Sequence, residues 1–184
     1  KLSGKKIRLR SAENVIKELE FLKKKYGIKA YHFEDDNSFF YKSRTKELLQ
    51  MMIDHKLNLR WKATGVFLPT LDEEIIKLMV ESGCEMLNIA VESGTEKILK
   101  EVIRKPIDLN VVPEKIALIK KYGIFVTANF VIGFPNETWN EIMQTIRYAD
   151  TCGADYVKFF LAIPLPGTRM YDMAKKAGCI VGDE

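Results

Sequence analysis

Cysteine is sparse in this 184-residue chain: Cys84, Cys152 and Cys179 are the only three, too far apart in sequence to chelate a metal as a close pair. Each lies beside a glycine where a helix is expected to end (Gly83, Gly153 and Gly178), so they read as small buried residues and not as ligands or disulfide partners. An odd count with no export signal fits a reducing cytoplasm. Histidine is rarer still. His32 and His55 have no paired spacing, and neither reads as a catalyst or ligand. Long apolar runs are missing too: the longest, over 124–134, is interrupted by Thr127, Asn129 and Gly133 and falls short of the roughly 20 residues a spanning helix needs. There is no glycine-rich phosphate loop opening a helix, no low-complexity tract and no linker, which argues for one domain. Charge of one sign is not in large excess. Lys and Arg number 29 against 25 Asp and Glu, and the cations are spread among acids along helical stretches, unlike a nucleic-acid footprint.

What is present is an alternation of two periodicities. Ser11 is suited to cap a helix with an apolar stripe of Val15, Ile16, Leu19 and Leu22 that stops at Gly27. A strand follows over 30–33, then a helix opened by Ser43, then a strand over 61–64 closed by Gly65. Asp72 caps the next helix, with Glu73 and Glu74 in its first turn where the dipole favours acids, and Gly83 ends it. The order continues as strand 86–91, helical segments 96–103 and 113–122, strand 125–132, helix 137–152, strand 156–163 and helix 169–177. Met51, Met52, Met79 and Met143 read as core filler. Five strands, each followed by helix, predict an α/β fold with a parallel sheet, either a barrel or an open doubly wound sheet. Because the chain opens on a helix, a further strand is expected to precede it.

In such folds the carboxyl ends of the strands line the ligand site. Here those ends are polar. Glu34, Asp35, Asp36 and Asn37 follow the first strand; Lys62, Thr64 and Gly65 lie at the second; Glu92, Ser93 and Gly94 close the third. The fourth strand holds Asn129 and runs into Gly133-Phe134-Pro135-Asn136-Glu137-Thr138, and the fifth carries Lys158 before Pro164-Leu165-Pro166-Gly167-Thr168. Several of these also have plain uses in turns and caps. Asn129 stands out, because an amide within an apolar strand costs several kcal/mol unless it finds partners. The three acids suit hard oxygen ligation of Mg²⁺ or a substrate ammonium group, although neighbours on a strand end point to opposite faces.

The series Arg8-Leu9-Arg10-Ser11-Ala12-Glu13-Asn14-Val15-Ile16, Phe33-Glu34-Asp35-Asp36-Asn37, Ala90-Val91-Glu92-Ser93-Gly94-Thr95, 129–138 and 164–168 resembles the radical S-adenosylmethionine (radical SAM) superfamily. It is most similar to the branch of cobalamin-associated enzymes of the anaerobic magnesium-protoporphyrin cyclase type. The resemblance implies a partial (β/α) barrel of six strands, of which residues 1–184 form one core with strands two to six; the first strand and the cysteine loop after it, which holds a 4Fe–4S cluster, are absent. It places Glu34, Asp35 and Asp36 at the amino group of the SAM methionine, Asp35 foremost. Glu92, with Ser93 beside it, falls at the ribose, and Arg104, twelve residues on, at the methionine carboxylate. Val131, Ile132 and Gly133 pack on adenine, Phe160 to Ala162 offer backbone to its edge, and Asn129 lies near the ribose.

The implied parent enzyme cleaves SAM reductively at the cluster to start radical chemistry on an unknown small molecule. It uses an external electron donor and possesses cobalamin only if another domain carries it; the sequence gives no direct sign of a nucleic-acid partner, and no membrane is expected. This segment alone is expected to be inactive, and its open strand edges predict self-association. Two other readings stand beside this one. One is a metal-dependent lyase or aldolase on an ordinary barrel, with Lys62 or Lys158 as base; the other is a binding domain without catalysis.

Overall fold

The computed structural model describes residues 8–35, 38–105 and 107–180. Ser11 caps α1 (Ala12–Tyr26) by accepting from the Asn14 N–H at 3.3 Å, and Gly27 ends it with φ 62°. After β1 (Ala30–Phe33), α2 (Lys42–Asp54) starts at Lys42, ahead of the expected Ser43, and Tyr41 before it gives no side-chain cap. β2 (Arg60–Val66) runs through Gly65, where a closing turn was expected; the left-handed glycine, φ 68°, is absorbed by a shift of register against β3. A 3₁₀ turn (Leu68–Thr70) leads to α3 (Glu73–Glu81), capped by Asp72, and then β3 (Cys84–Glu92). The segment Ile98–Ile103 is a π-helix where the sequence predicted an ordinary helical segment. It is followed by α4 (Val112–Lys121), β4 (Phe125–Ile132), α5 (Trp139–Thr151), β5 (Tyr156–Leu161) and α6 (Arg169–Lys176).

The five strands form one sheet in the order β1-β2-β3-β4-β5, each neighbouring pair parallel. Crossovers between parallel strands are right-handed in about 98% of cases. With no reversal of strand order, same-handed crossovers carry every helix to one face, which a doubly wound sheet does not do. The sequential order therefore gives a partial (β/α) barrel.

Alternation along the strands gives the two faces opposite characters. Trp61 and Ala63 of β2, Leu87, Ile89 and Val91 of β3, and Val126, Ala128 and Phe130 of β4 are buried in the core. Ile16 and Leu19 of α1, Leu48, Leu49 and Met52 of α2, Ile75, Ile76 and Met79 of α3, and Ile116 and Ile119 of α4 complete that core. Residues one step along each strand point away from the helices. They include His32, Lys62, Thr64, Asn88, Thr127, Asn129, Tyr156 and Lys158 as well as Met86, Ala90, Val131 and Phe160. A barrel interior filled only for stability is layered with Val, Ile and Leu; this inner face is largely polar.

Candidate functional site

On β3, β4 and β5 the inner face reads as a grid. One row is Asn88, Thr127 and Tyr156, and the next, toward the carboxyl ends, is Ala90, Asn129 and Lys158. Val131 pairs with Phe160 in the row above. There a register shift between Ala90 and Glu92 puts Glu92 in left-handed backbone, φ 75°, a conformation that costs a non-glycine residue on the order of 1–3 kcal/mol. The surroundings enforce it. Lys105 donates from Nζ to the Ala90 carbonyl at 2.7 Å and to Glu92 Oε1 at 3.0 Å, tying the strand end and its carboxylate together.

Glu92, Val131, Phe160 and Ala162 meet in one cavity of about 390 Å³, within the size range of small-molecule sites. Its other walls are Val102 and Ile103 of the π-helix, Phe134 of the loop after β4, Leu161 and Ile163, and Arg169, Met170 and Met173 of α6. These walls are apolar apart from Glu92 and Arg169. Sequence reading missed Lys105 and the π-helical wall. Their positions depend on the six-residue π segment and on left-handed Arg104, φ 61°, which no residue type announces.

The other expected residues fall in different places. Asn129 lies one row below the cavity floor, and its Oδ1 is buried without a hydrogen-bond partner. Ser93 is fully buried; its hydroxyl is within 3.2 Å of those of Thr95 and Thr145 and accepts from the Thr95 N–H. It thus fastens the turn after β3 to α5 and is not among the residues that line this cavity. Arg104 is exposed and forms no ion pair among the described residues, whereas its neighbour Lys105 holds Glu92. Ile132 ends β4, and the Gly133 and Phe134 N–H groups donate to Glu137 Oε2 at 2.6 and 3.0 Å. Burial raises the Glu137 carboxyl above its ordinary value against the effect of those two donors.

Across the sheet, His32 bridges the ends of β1 and β2. Its Nδ1 is 2.5 Å from Glu34 Oε1 and its Nε2 is 2.7 Å from Thr64 Oγ1, a pairing the sequence reading passed over. Asp35 is exposed and accepts from Ser38 Oγ at 3.2 Å; Asp36 lies outside the described residues. Glu34 and Asp35 therefore turn to different partners, and among the described residues no group of three or more His, Cys, Asp or Glu side chains could hold a metal ion. The cysteines do not suit an iron–sulfur cluster: Cys84 and Cys152 are buried, Cys179 is exposed, and burial raises the Cys84 and Cys152 thiols away from the thiolate a metal requires. Among the described residues no helix is long and apolar enough to cross a membrane.

The chain is similar to known proteins in sequence and in fold. An uncharacterised methyltransferase of Pyrococcus horikoshii is 36% identical over 93% of this chain and 37% of its own length. Cytidylyl-2-hydroxyethylphosphonate methyltransferase of Streptomyces wedmorensis is 31% identical over 98% of this chain and 35% of its own. Among solved structures, the radical S-adenosylmethionine methyltransferase TsrM of Kitasatospora setae, with cobalamin and a 4Fe–4S cluster bound, superposes with a TM-score of 0.80 at 21% identity, over 91% of this chain and 34% of that one. The chain thus spans little more than a third of the length of these proteins. A family model described as the Radical SAM superfamily matches residues 2–149, from ahead of α1 almost to the end of α5. The chain belongs to the radical SAM superfamily.

Proposed function

We propose that this chain forms the SAM-binding part of a radical SAM enzyme, with the adenosine of SAM in the cavity at the ends of β3, β4 and β5. One observation carries the reading: an apolar cavity whose single carboxylate, Glu92, is held in position by Lys105. A nucleoside matches those walls. The flat base packs between Val131 and Phe160, and the vicinal ribose hydroxyls donate to Glu92. Among the described residues β5 pairs on one side only, so backbone around Leu161 is open to the hydrogen-bonding edge of adenine. Asn129 serves the ribose from below. The exposed carboxylate of Asp35, with Glu34 and Asp36, is proposed for the methionine ammonium and Arg104 for its carboxylate, while Ser93 acts by fixing the turn that carries Glu92.

Bound SAM supplies an activated sulfonium carbon. Cluster and cobalamin fall to other parts of the enzyme, since the cysteines present here do not suit a cluster, and the chain alone is proposed to bind SAM without turnover. The names of the two sequence relatives favour methyl transfer as the reaction of the whole protein. A cytoplasmic location and an external electron donor belong to the same proposal.

Calorimetric titration of the full chain with S-adenosylhomocysteine, which needs no cluster to bind, tests the site. Glu92→Ala should weaken binding by about 2 kcal/mol, roughly 30-fold, the worth of hydrogen bonds to a charged acceptor. Unchanged affinity in that variant would place the nucleoside elsewhere.

A further inference from the structure

Directly beneath the cavity floor, the inner face carries polar groups of which the nucleoside reading uses only Asn129, and that one in part. Asn88 and Asn129 stand on neighbouring strands one row apart, and the Oδ1 of each is buried without a hydrogen-bond partner. Leaving a buried polar group unpaired costs about 1–3 kcal/mol. Two on one face mark a place built to be filled. Lys158 pairs in register with Asn129, points to the same face, and makes no ion pair among the described residues. The carboxylate at the neighbouring strand end, Glu92, is already engaged by Lys105. The orphaned oxygens call for N–H or O–H donors, and the free ammonium calls for an anion.

Resting on the SAM reading above, we propose that Asn88, Asn129 and Lys158 form the substrate subsite. The substrate they fit is a small polar molecule bearing an oxyanion, placed at Lys158, with a hydroxyl or amino donor a few ångströms away, placed at the asparagines. Asn129 borders both ligands, whereas Asn88 and Lys158 belong to the substrate alone. An uncharged apolar substrate would leave all three groups unsatisfied.

The test uses the full chain labelled with ¹⁵N-asparagine, titrated in separate arms with inorganic phosphate and with glycolate, each an oxyanion that also carries a hydroxyl. A saturable shift of the Asn88 side-chain amide is expected, weakened at least tenfold by Lys158→Met. The stronger arm assigns the oxyanion as phosphate-like or carboxylate. Asn88→Leu should weaken at least tenfold the shift that the ions give the Asn129 side-chain amide, while leaving the melting temperature at or above that of the wild type, because it removes an unpaired polar group. A fall in melting temperature would make Asn88 a structural residue and overturn its assignment. The subsite is likewise refuted if neither ion gives a saturable shift, or if the shift survives Lys158→Met, in protein that binds S-adenosylhomocysteine normally. Loss of S-adenosylhomocysteine binding in the wild type would instead count against the SAM reading, and the ion titrations would still report on the subsite.

Discussion

At the scale of single residues, the turn after β3 has the least slack. A Cβ on Gly94 would sit 2.6 Å from Tyr148 Cβ and 2.7 Å from Thr145 Cα, so the turn and α5 approach as closely as only glycine permits. The Gly94 N–H also donates to Thr145 Oγ1 at 3.1 Å, within the same hydroxyl cluster that holds Ser93. Gly94→Ala should destabilise the chain by about 1–3 kcal/mol, the usual cost of overpacking, with a lower urea midpoint as the measurement. Asn129 was legible in the sequence because an amide in an apolar strand is chemically out of place. Ser93 was not separable in this way, since serine suits a ligand, a turn or a cap equally well. Lys105 was invisible because its engagement with Glu92 depends on a backbone path; Asn88 offered the same signal as Asn129, an amide among apolar neighbours, and was passed over.

At the scale of elements, helix ends were read well where a side chain makes the cap and poorly where backbone does. Ser11 and Asp72 cap as expected, while Thr138 caps α5, which starts two residues beyond the expected 137. The π-helix has no side-chain cap at its start, so nothing in 98–103 set it apart from an α-helix. α5 carries a prediction. Glu141 closes a capping box with Thr138, and its hydrogen bond with Lys97, then those with Thr138, hold its carboxyl well below the ordinary 4.5, at about 2. Its stabilisation is complete above the ordinary value and is lost as pH falls through about 2. Glu137, four residues earlier, has the opposite sign: burial raises its carboxyl, so its contribution is complete below 4.5 and declines as pH rises through the raised value. Carboxyl ¹³C titration should find the two midpoints on opposite sides of the ordinary value; coincident midpoints would refute this account of the cap.

At the scale of the whole molecule, helix–strand alternation left a barrel and a doubly wound sheet both open, and strand order decided between them, because periodicity records which elements form but not which lie side by side. The β5 edge is rich in exposed apolar surface: Leu161 is 72% and Ile163 68% exposed, near Phe160 and Leu165, which are also exposed. An unpaired apolar strand edge is a template for association. The 184-residue chain by itself is expected to dimerise or form larger species in analytical ultracentrifugation, and Leu161→Lys should shift it toward monomer. A wild-type monomer at all concentrations would show that this edge is inert.

Strands that lie in the sheet in the order of the chain have a consequence for how such a protein can change over time. In a sheet whose order doubles back, adding or deleting a terminal segment disturbs its centre. Here it reaches only a rim. The proposed adenosine pocket is built at the β5 side, and the carboxylates after β1 stand at the other. New segments can therefore be grafted at one margin, each remodelling its own half of the mouth, while the inherited pairing between strands stays as it was. A fold organised in this way can diversify by accretion, keeping one cofactor and changing what it acts upon.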